Sequence, residues 1–157
     1  MKKEILILIG ISGSGKTTYA KELCSSNPSF LRINRDDIRK VLVGDLHGYY
    51  QRLDLNKIEE QVTILETKIF LSITALDKNV VIDNTNLSEK YINRWRELAS
   101  DFGMEVKLQF FDMELTEAQQ RVYKRDFMGL SYLNKLEVTK YIDKQFQQYQ
   151  ALKNLLK

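Results

Sequence analysis

Hydrophobic positions along the chain alternate between continuous short runs and a step of three and four. The run Ile5-Leu6-Ile7-Leu8-Ile9 reads as a strand buried on both faces. It breaks into a glycine-rich stretch, after which Ala20, Leu23 and Cys24 share one face of a helix that stops at the turn Asn27-Pro28-Ser29. Phe30 to Ile33 predicts a second strand. Asn34 caps a helix with apolar positions Ile38, Val41 and Leu42, ending at Gly44, and Leu46 to Leu53 is irregular. Ile58, Val62, Leu65, Ile69, Ile73 and Leu76 then mark a long amphipathic helix that ends near Asp77-Lys78. Asn79 to Asp83 is a short buried-type strand and Asn84 to Leu87 a loop. Ser88 and Glu89 open a helix through Ile92, Trp95, Leu98 and Phe102, stopped by Gly103. Val106, Leu108 and Phe110 alternate with Lys107 and Gln109 in a fourth strand that ends at Asp112. One helix follows from Thr116 and a last one runs through Tyr141 to Leu156, separated by the glycine-containing break Phe127 to Ser131.

Four strands separated by helices predict a three-layer α/β fold with a parallel sheet and right-handed crossovers. Ligands of such sheets sit at the carboxyl ends of the strands. Gly10, Asn34, Asp83 and Asp112 all follow strands, so the loops they begin are expected on one rim.

The first of those loops, Gly10-Ile11-Ser12-Gly13-Ser14-Gly15-Lys16-Thr17, is a full match to the phosphate-binding P-loop pattern. Its glycines permit the tight turn, and the amides from Gly13 through Ser14, Gly15 and on to Thr18 face phosphate oxygens at a helix N-terminus. Lys16 supplies charge to the β and γ phosphates, and the Thr17 hydroxyl is placed to ligate magnesium.

The second strand runs into Asn34-Arg35-Asp36-Asp37-Ile38-Arg39. Phosphoryl transfer to an alcohol needs a carboxylate near the attacking hydroxyl, and either Asp36 or Asp37 suits. Asp36 and Arg39 share a helix face, where one takes a proton and the other holds an anionic group. Asp37 lies about 100° around and reads as a cap or a solvent-facing group; the alternative is that both acids are only first-turn dipole partners. Asp83, ending an apolar strand, sits where a carboxylate holds magnesium through water, unless it serves ordinary turn chemistry. Asn84, Thr85 and Asn86 add polar groups beside it.

Arg121 and Arg125, four apart with Lys124 adjacent, form either a clamp on a transferring phosphoryl group, carried by a lid at about 116–135, or a solvated basic face. His47, with Tyr49, Tyr50 and Arg52, either contacts an acceptor base or belongs to a plain surface loop. Tyr141, Tyr149 and the glutamines of the last helix read as packing and solubility. Asn134-Lys135-Leu136-Glu137 departs from a guanine-reading motif in its last residue and in its helical context, which argues against a GTPase.

At 157 residues and 43% hydrophobic composition the chain is expected to form a single domain over 1–157. Apolar runs of strand length leave no membrane span, and the first residues leave no room for a secretory signal, so a cytoplasmic protein is expected. The single cysteine, Cys24, excludes an internal disulfide and reads as a small core residue. A net charge of +3 suits contact with a few phosphates rather than a long duplex footprint.

Taken together, the P-loop, the Ile33 to Asp37 block with Arg39, the Asn84-Thr85-Asn86-Leu87 loop and the pair Arg121 and Arg125 resemble the 5′-polynucleotide kinases, particularly the kinase domain of the phage polynucleotide kinase-phosphatases. The resemblance spans almost the whole chain. It implies a P-loop kinase fold with a helical lid, ATP as phosphoryl donor, Mg2+ as cofactor, and the 5′-hydroxyl ends of DNA or RNA as acceptors. It further implies that Lys16 and Thr17 engage phosphates and magnesium, that Asp36 is the general base, and that Arg39 grips the phosphate on the 3′ side of the accepting nucleotide. Arg121 and Arg125 would then stabilise phosphates from the lid. The family places a carboxylate directly before its Thr-Asn pair, where this chain has Asn84 with the acid at Asp83. No D-x-D-x-T signature is present, so kinase activity without 3′-phosphatase activity is expected. The alternatives are a small-molecule kinase acting on a nucleoside or sugar, and a non-kinase nucleotide-dependent switch.

Overall fold

The computed structural model describes residues 2–46, 49–126 and 132–156. His47 and the break at Phe127 to Ser131 lie outside the described residues, so the central part of the expected lid does too. The strands are β1 (Glu4–Ile9), β2 (Phe30–Ile33), β3 (Asn79–Ile82) and β4 (Glu105–Phe110), and every pairing among them is parallel, in the order β2-β3-β1-β4. The helices are α1 (Lys16–Ser26), α2 (Arg35–Val43), α3 (Leu55–Ala75), α4 (Glu89–Asp101), α5 (Leu115–Asp126) and α6 (Tyr132–Leu155).

β1 is central, which is why its run of apolar residues has no polar alternation. Ile5, Ile7 and Ile9 point into the main core with residues of α3 to α6, whereas Leu6 and Leu8 face Ala20, Leu23 and Cys24 of α1. Among the described residues, α1 therefore covers one side of the sheet, while α3 to α6, with one turn of α2 through Ile38, cover the other. That asymmetry explains β4. Val106, Leu108 and Phe110 align with Ile5, Ile7 and Ile9 and turn to the main core, while Glu105, Lys107 and Gln109 face the side where the narrow cover of α1 leaves them exposed.

Two apolar stripes differ from the sequence expectation. On α2 only Ile38 is buried, whereas Val41 is 82% and Leu42 41% exposed, because this short helix touches the core at one turn only. On α3 the buried face runs Val62, Glu66, Phe70, Ile73, with Ile58, Leu65 and Ile69 at its margins and Leu76 exposed. A carboxylate thus sits fully inside an otherwise apolar stripe.

Candidate active site

The chain leaves β1 at the carboxyl edge of the sheet and turns through Gly13 and Gly15, at φ +83° and +93°, values that favour glycine. A Cβ at Gly13 would also lie 3.2 Å from the Ala118 carbonyl and from Val122 Cγ2, so the loop runs directly over α5. Gly15 occupies the N-cap of α1, leaving the first amides of that helix without intrahelical partners. Lys16 is buried, and its Nζ donates to the Ile11 carbonyl at 2.7 Å and to Ser14 Oγ at 3.2 Å. Burial lowers its pKa to about 8; Asp83 opposes the shift and Arg125 adds to it. Across the loop, the Ser12 amide donates to Gln145 Oε1 at 2.8 Å. Gln145 is buried, and Tyr141, Lys144 and Gln148 line the same cleft. The glutamines of α6 are therefore not merely solubilising, and nothing local in the sequence distinguishes the one that holds the P-loop.

At the end of β3, Asp83 accepts from Thr17 Oγ1 at 3.1 Å on one carboxylate oxygen and from Arg32 Nε at 2.7 Å on the other. Arg32 also binds Asp37 at 2.6 Å. Asp37 is thereby committed to an ion pair, and its own amide donates to the capping Asn34 side chain. Asp36 stands on the cleft side of α2. One of its oxygens accepts from Arg39 Nη1 at 2.6 Å, and no second hydrogen bond reaches it among the described residues. Arg39 is gripped at the far side by Glu59, through Nε at 2.7 Å and Nη2 at 3.0 Å, and lies over the Tyr49 ring. The Tyr49 hydroxyl donates to Glu59 at 2.6 Å, so Tyr49 is a buried support, while Tyr50 remains exposed in the cleft. Burial alone would raise the Glu59 pKa. The hydrogen bonds from Arg39, Tyr49 and Arg35 outweigh it and bring the value down to about 2.

Glu66 is the second anchor, and it is fully buried. Its carboxylate accepts from Arg35 at 3.1 Å, Arg94 at 2.8 Å, Asn84 Nδ2 at 3.2 Å and the Tyr91 hydroxyl. Asn84 also accepts from the Arg35 amide at 2.9 Å, which locks the 84–87 loop to the start of α2. Asn86, expected beside the acceptor, is buried and turned into the fold: its side-chain amide donates to the Leu8, Ile82 and Asn84 carbonyls. The Thr85 side of that loop lines the cleft, and its carbonyl accepts from the Gly10 amide at 3.1 Å.

These groups border one open cavity of about 890 Å³. Its far wall carries Arg121, which donates to the Gly13 carbonyl at 3.3 Å and pairs with Glu117, together with Arg125. Among the described residues, eight lysines and arginines line the cavity against two carboxylates, Asp36 and Asp83, which makes it strongly attractive to a polyanion. Asp112 follows β4 on the same rim but accepts from Tyr149 at 2.7 Å and from Lys153, outside the main cavity. Among the described residues there is no group of three or more His, Cys, Asp or Glu able to hold a metal. No helix is long and apolar enough to cross a membrane.

A family model described as an AAA domain, AAA_33, matches residues 5–151. The chain belongs to this AAA domain family. Over 132 residues it is 36% identical to a protein of Autographa californica nuclear polyhedrosis virus named "Putative bifunctional polynucleotide kinase/RNA ligase", a match that covers 78% of this chain and 18% of that one. A chain in the solved Pnkp1/Rnl/Hen1 RNA repair complex superposes with a TM-score of 0.79 at 27% identity, covering 98% of this chain and 46% of its own length. The chain thus spans less than half of each of these two relatives. The Mycobacterium tuberculosis APS kinase CysC, solved with AMPPNP and APS, shares the fold at a TM-score of 0.57 and 18% identity, over 78% of this chain and 70% of that one.

For this AAA domain the depressed Lys16 pKa has a measurable consequence. A bound polyphosphate favours the ammonium form and raises the pKa above its unliganded value near 8. Nucleotide binding above pH 8 is therefore expected to take up a proton, and affinity to fall as pH rises from 7.5 to 9. Calorimetry in buffers of different ionisation enthalpy checks this. Proton uptake that is zero throughout would show that Lys16 is already fully charged before nucleotide arrives.

Proposed function

We propose that this domain is an ATP-dependent kinase that transfers the γ-phosphoryl group to the 5′-hydroxyl end of DNA or RNA. The observation that carries the reading is Asp36: a carboxylate with one oxygen pinned by Arg39 and the other without a hydrogen bond among the described residues, in the same cavity as the P-loop. The likeness to proteins named for polynucleotide kinase activity and RNA repair supports the choice of acceptor.

In this mechanism the P-loop amides and Lys16 bind the donor phosphates. Lys16 exchanges its bonds to Ile11 and Ser14 for phosphate oxygens. The acceptor hydroxyl gives its proton to the free oxygen of Asp36 as its own oxygen bonds to the γ-phosphorus. The bond from that phosphorus to the bridging oxygen breaks, and ADP leaves. Arg39 orients the base and has further guanidinium N–H groups to bind the 3′-side phosphate of the accepting nucleotide. Arg121 and Arg125 face the transferring group from the opposite wall. Magnesium fits the oxygen donors present. Thr17 Oγ1 would ligate it and Asp83 hold it through water, and once bound it would neutralise phosphate charge.

The test is transfer of labelled γ-phosphate from ATP and Mg2+ to 5′-hydroxyl DNA and RNA oligonucleotides, nucleoside 3′-phosphates, bare nucleosides and sugars. Oligonucleotides and nucleoside 3′-phosphates are expected to react, and bare nucleosides far more slowly. Equal reaction of bare nucleosides would replace this reading with a small-molecule kinase. Nucleotide binding without transfer to any acceptor would leave a switch.

A further inference from the structure

The basic wall of the cavity continues past Asp36. The order β2-β3-β1-β4 sets the loop after β3 between the P-loop and α2, whereas α5 follows the opposite edge strand, β4. α4, which follows β3, therefore begins on the side of the cavity where Asp36 stands, away from Arg121 and Arg125. Its Lys90 and Arg94, one turn apart on one helix face, both line the cavity. Arg94 is tied structurally to the Asp36 helix. Arg35 lies 5.8 Å and Arg94 5.6 Å from the centre of the same Tyr91 ring, and both arginines bind Glu66.

The charge on this wall is not balanced internally. Arg35, Arg39 and Arg94 meet three acids, the half-buried Glu59, the fully buried Glu66 and Asp36, whose second oxygen is left for the acceptor, so the surplus charge is that of Lys90. Arg94 spends both terminal nitrogens on Glu66, Thr63 and Thr67, and no bond from its Nε is present among the described residues. Lys90 is exposed and has no ion-pair partner among the described residues. An uncompensated lysine beside a rigidly held guanidinium, at the edge of a cavity with a low-dielectric wall, is a site for an oxyanion.

We propose that Lys90 and Arg94 bind a backbone phosphate of the acceptor strand beyond the one next to the reacting nucleotide, so that the domain grips an oligonucleotide more tightly than a nucleoside 3′-phosphate. The identity of the strand as acceptor rests on the kinase reading; the anion site does not. Arg94 belongs to the Glu66 cluster and its removal risks the fold, so the exposed Lys90 is the residue to vary.

Fluorescence anisotropy of a labelled 5′-hydroxyl single-stranded 10-mer, with nucleoside 3′-phosphate as competitor, is measured for wild type, Lys90→Ala and Lys90→Glu across a salt series. The oligonucleotide affinity is expected to drop about fivefold in Lys90→Ala and further in Lys90→Glu. The slope of log affinity against log salt is expected to shrink by about 0.7, the value for one lost phosphate contact on a single strand. The preference for oligonucleotide over nucleoside 3′-phosphate should fall in parallel. An unchanged slope and preference in both variants, or an equal loss on both ligands, overturns the site. Phosphoryl transfer by the same samples separates the two readings. Wild type that binds with the Lys90 dependence but transfers nothing keeps the site and removes the kinase.

Discussion

Asp36→Asn is expected to slow phosphoryl transfer about 10³-fold, the middle of the range for losing a positioned general base, while leaving ATP affinity within about twofold of wild type. Asparagine is nearly isosteric and its carbonyl still accepts from Arg39, so the grip of Glu59 on that arginine survives. What disappears is the proton acceptor. Asp37 is poorly placed to substitute, because Arg32 holds its carboxylate at 2.6 Å and that arginine is itself anchored on Asp83. Single-turnover transfer to a 5′-hydroxyl oligonucleotide, with ATP binding measured separately, checks the expectation. Transfer at the wild-type rate would mean that the hydroxyl loses its proton elsewhere, and Asp36 would revert to a dipole partner at the start of α2.

Glu66→Ala is expected to cost about 3–5 kcal/mol, because removing one member of a buried ionic cluster leaves its partners without counterions. At a few degrees per kcal/mol for a chain of this size, the midpoint of thermal unfolding should fall by roughly 10 °C. Among the described residues, Arg35 loses one of its two acids, Arg94 loses its one acid, and the Tyr91 hydroxyl and Asn84 lose an acceptor. The cost is local as well as global: Asn84 ties the 84–87 loop to the amide that begins the Asp36 helix. Transfer by the folded fraction should therefore weaken too. Glu66→Gln keeps an acceptor and half of the geometry and is expected to lie between the two. A melt within 2 °C of wild type for Glu66→Ala would show that water reaches the arginines and compensates them.

These two residues differ in how far the sequence exposes them. Asp36 sits three residues from Arg39 in the first turn of a helix that follows a strand, and helix geometry alone places them together. Glu66 occurs within an apolar stripe on α3, at the spacing of Val62, Phe70 and Ile73. A charge at such a position is a legible signal that a partner exists, but the partners come from α2, α4 and the loop after β3. Likewise Glu59, which holds both Arg35 and Arg39, is indistinguishable from other acids on a helix until α3 packs against α2.

The P-loop, the succession of strands and helices, the parallel sheet and the shared helix face of Asp36 and Arg39 are all legible in the chain before it folds. Each follows from local periodicity, glycine conformational freedom or the spacing of residues on one helix. It takes the folded chain to show that Arg39 bonds Asp36, that Gln145 holds Ser12 from a distant helix, that Asn86 turns inward to carbonyls, and that Lys90 and Arg94 line the cavity beside α2. The last three depend on which strand lies beside which and on the direction each helix crosses the sheet. Such contacts join segments tens of residues apart, and no local pattern in a single chain encodes their register.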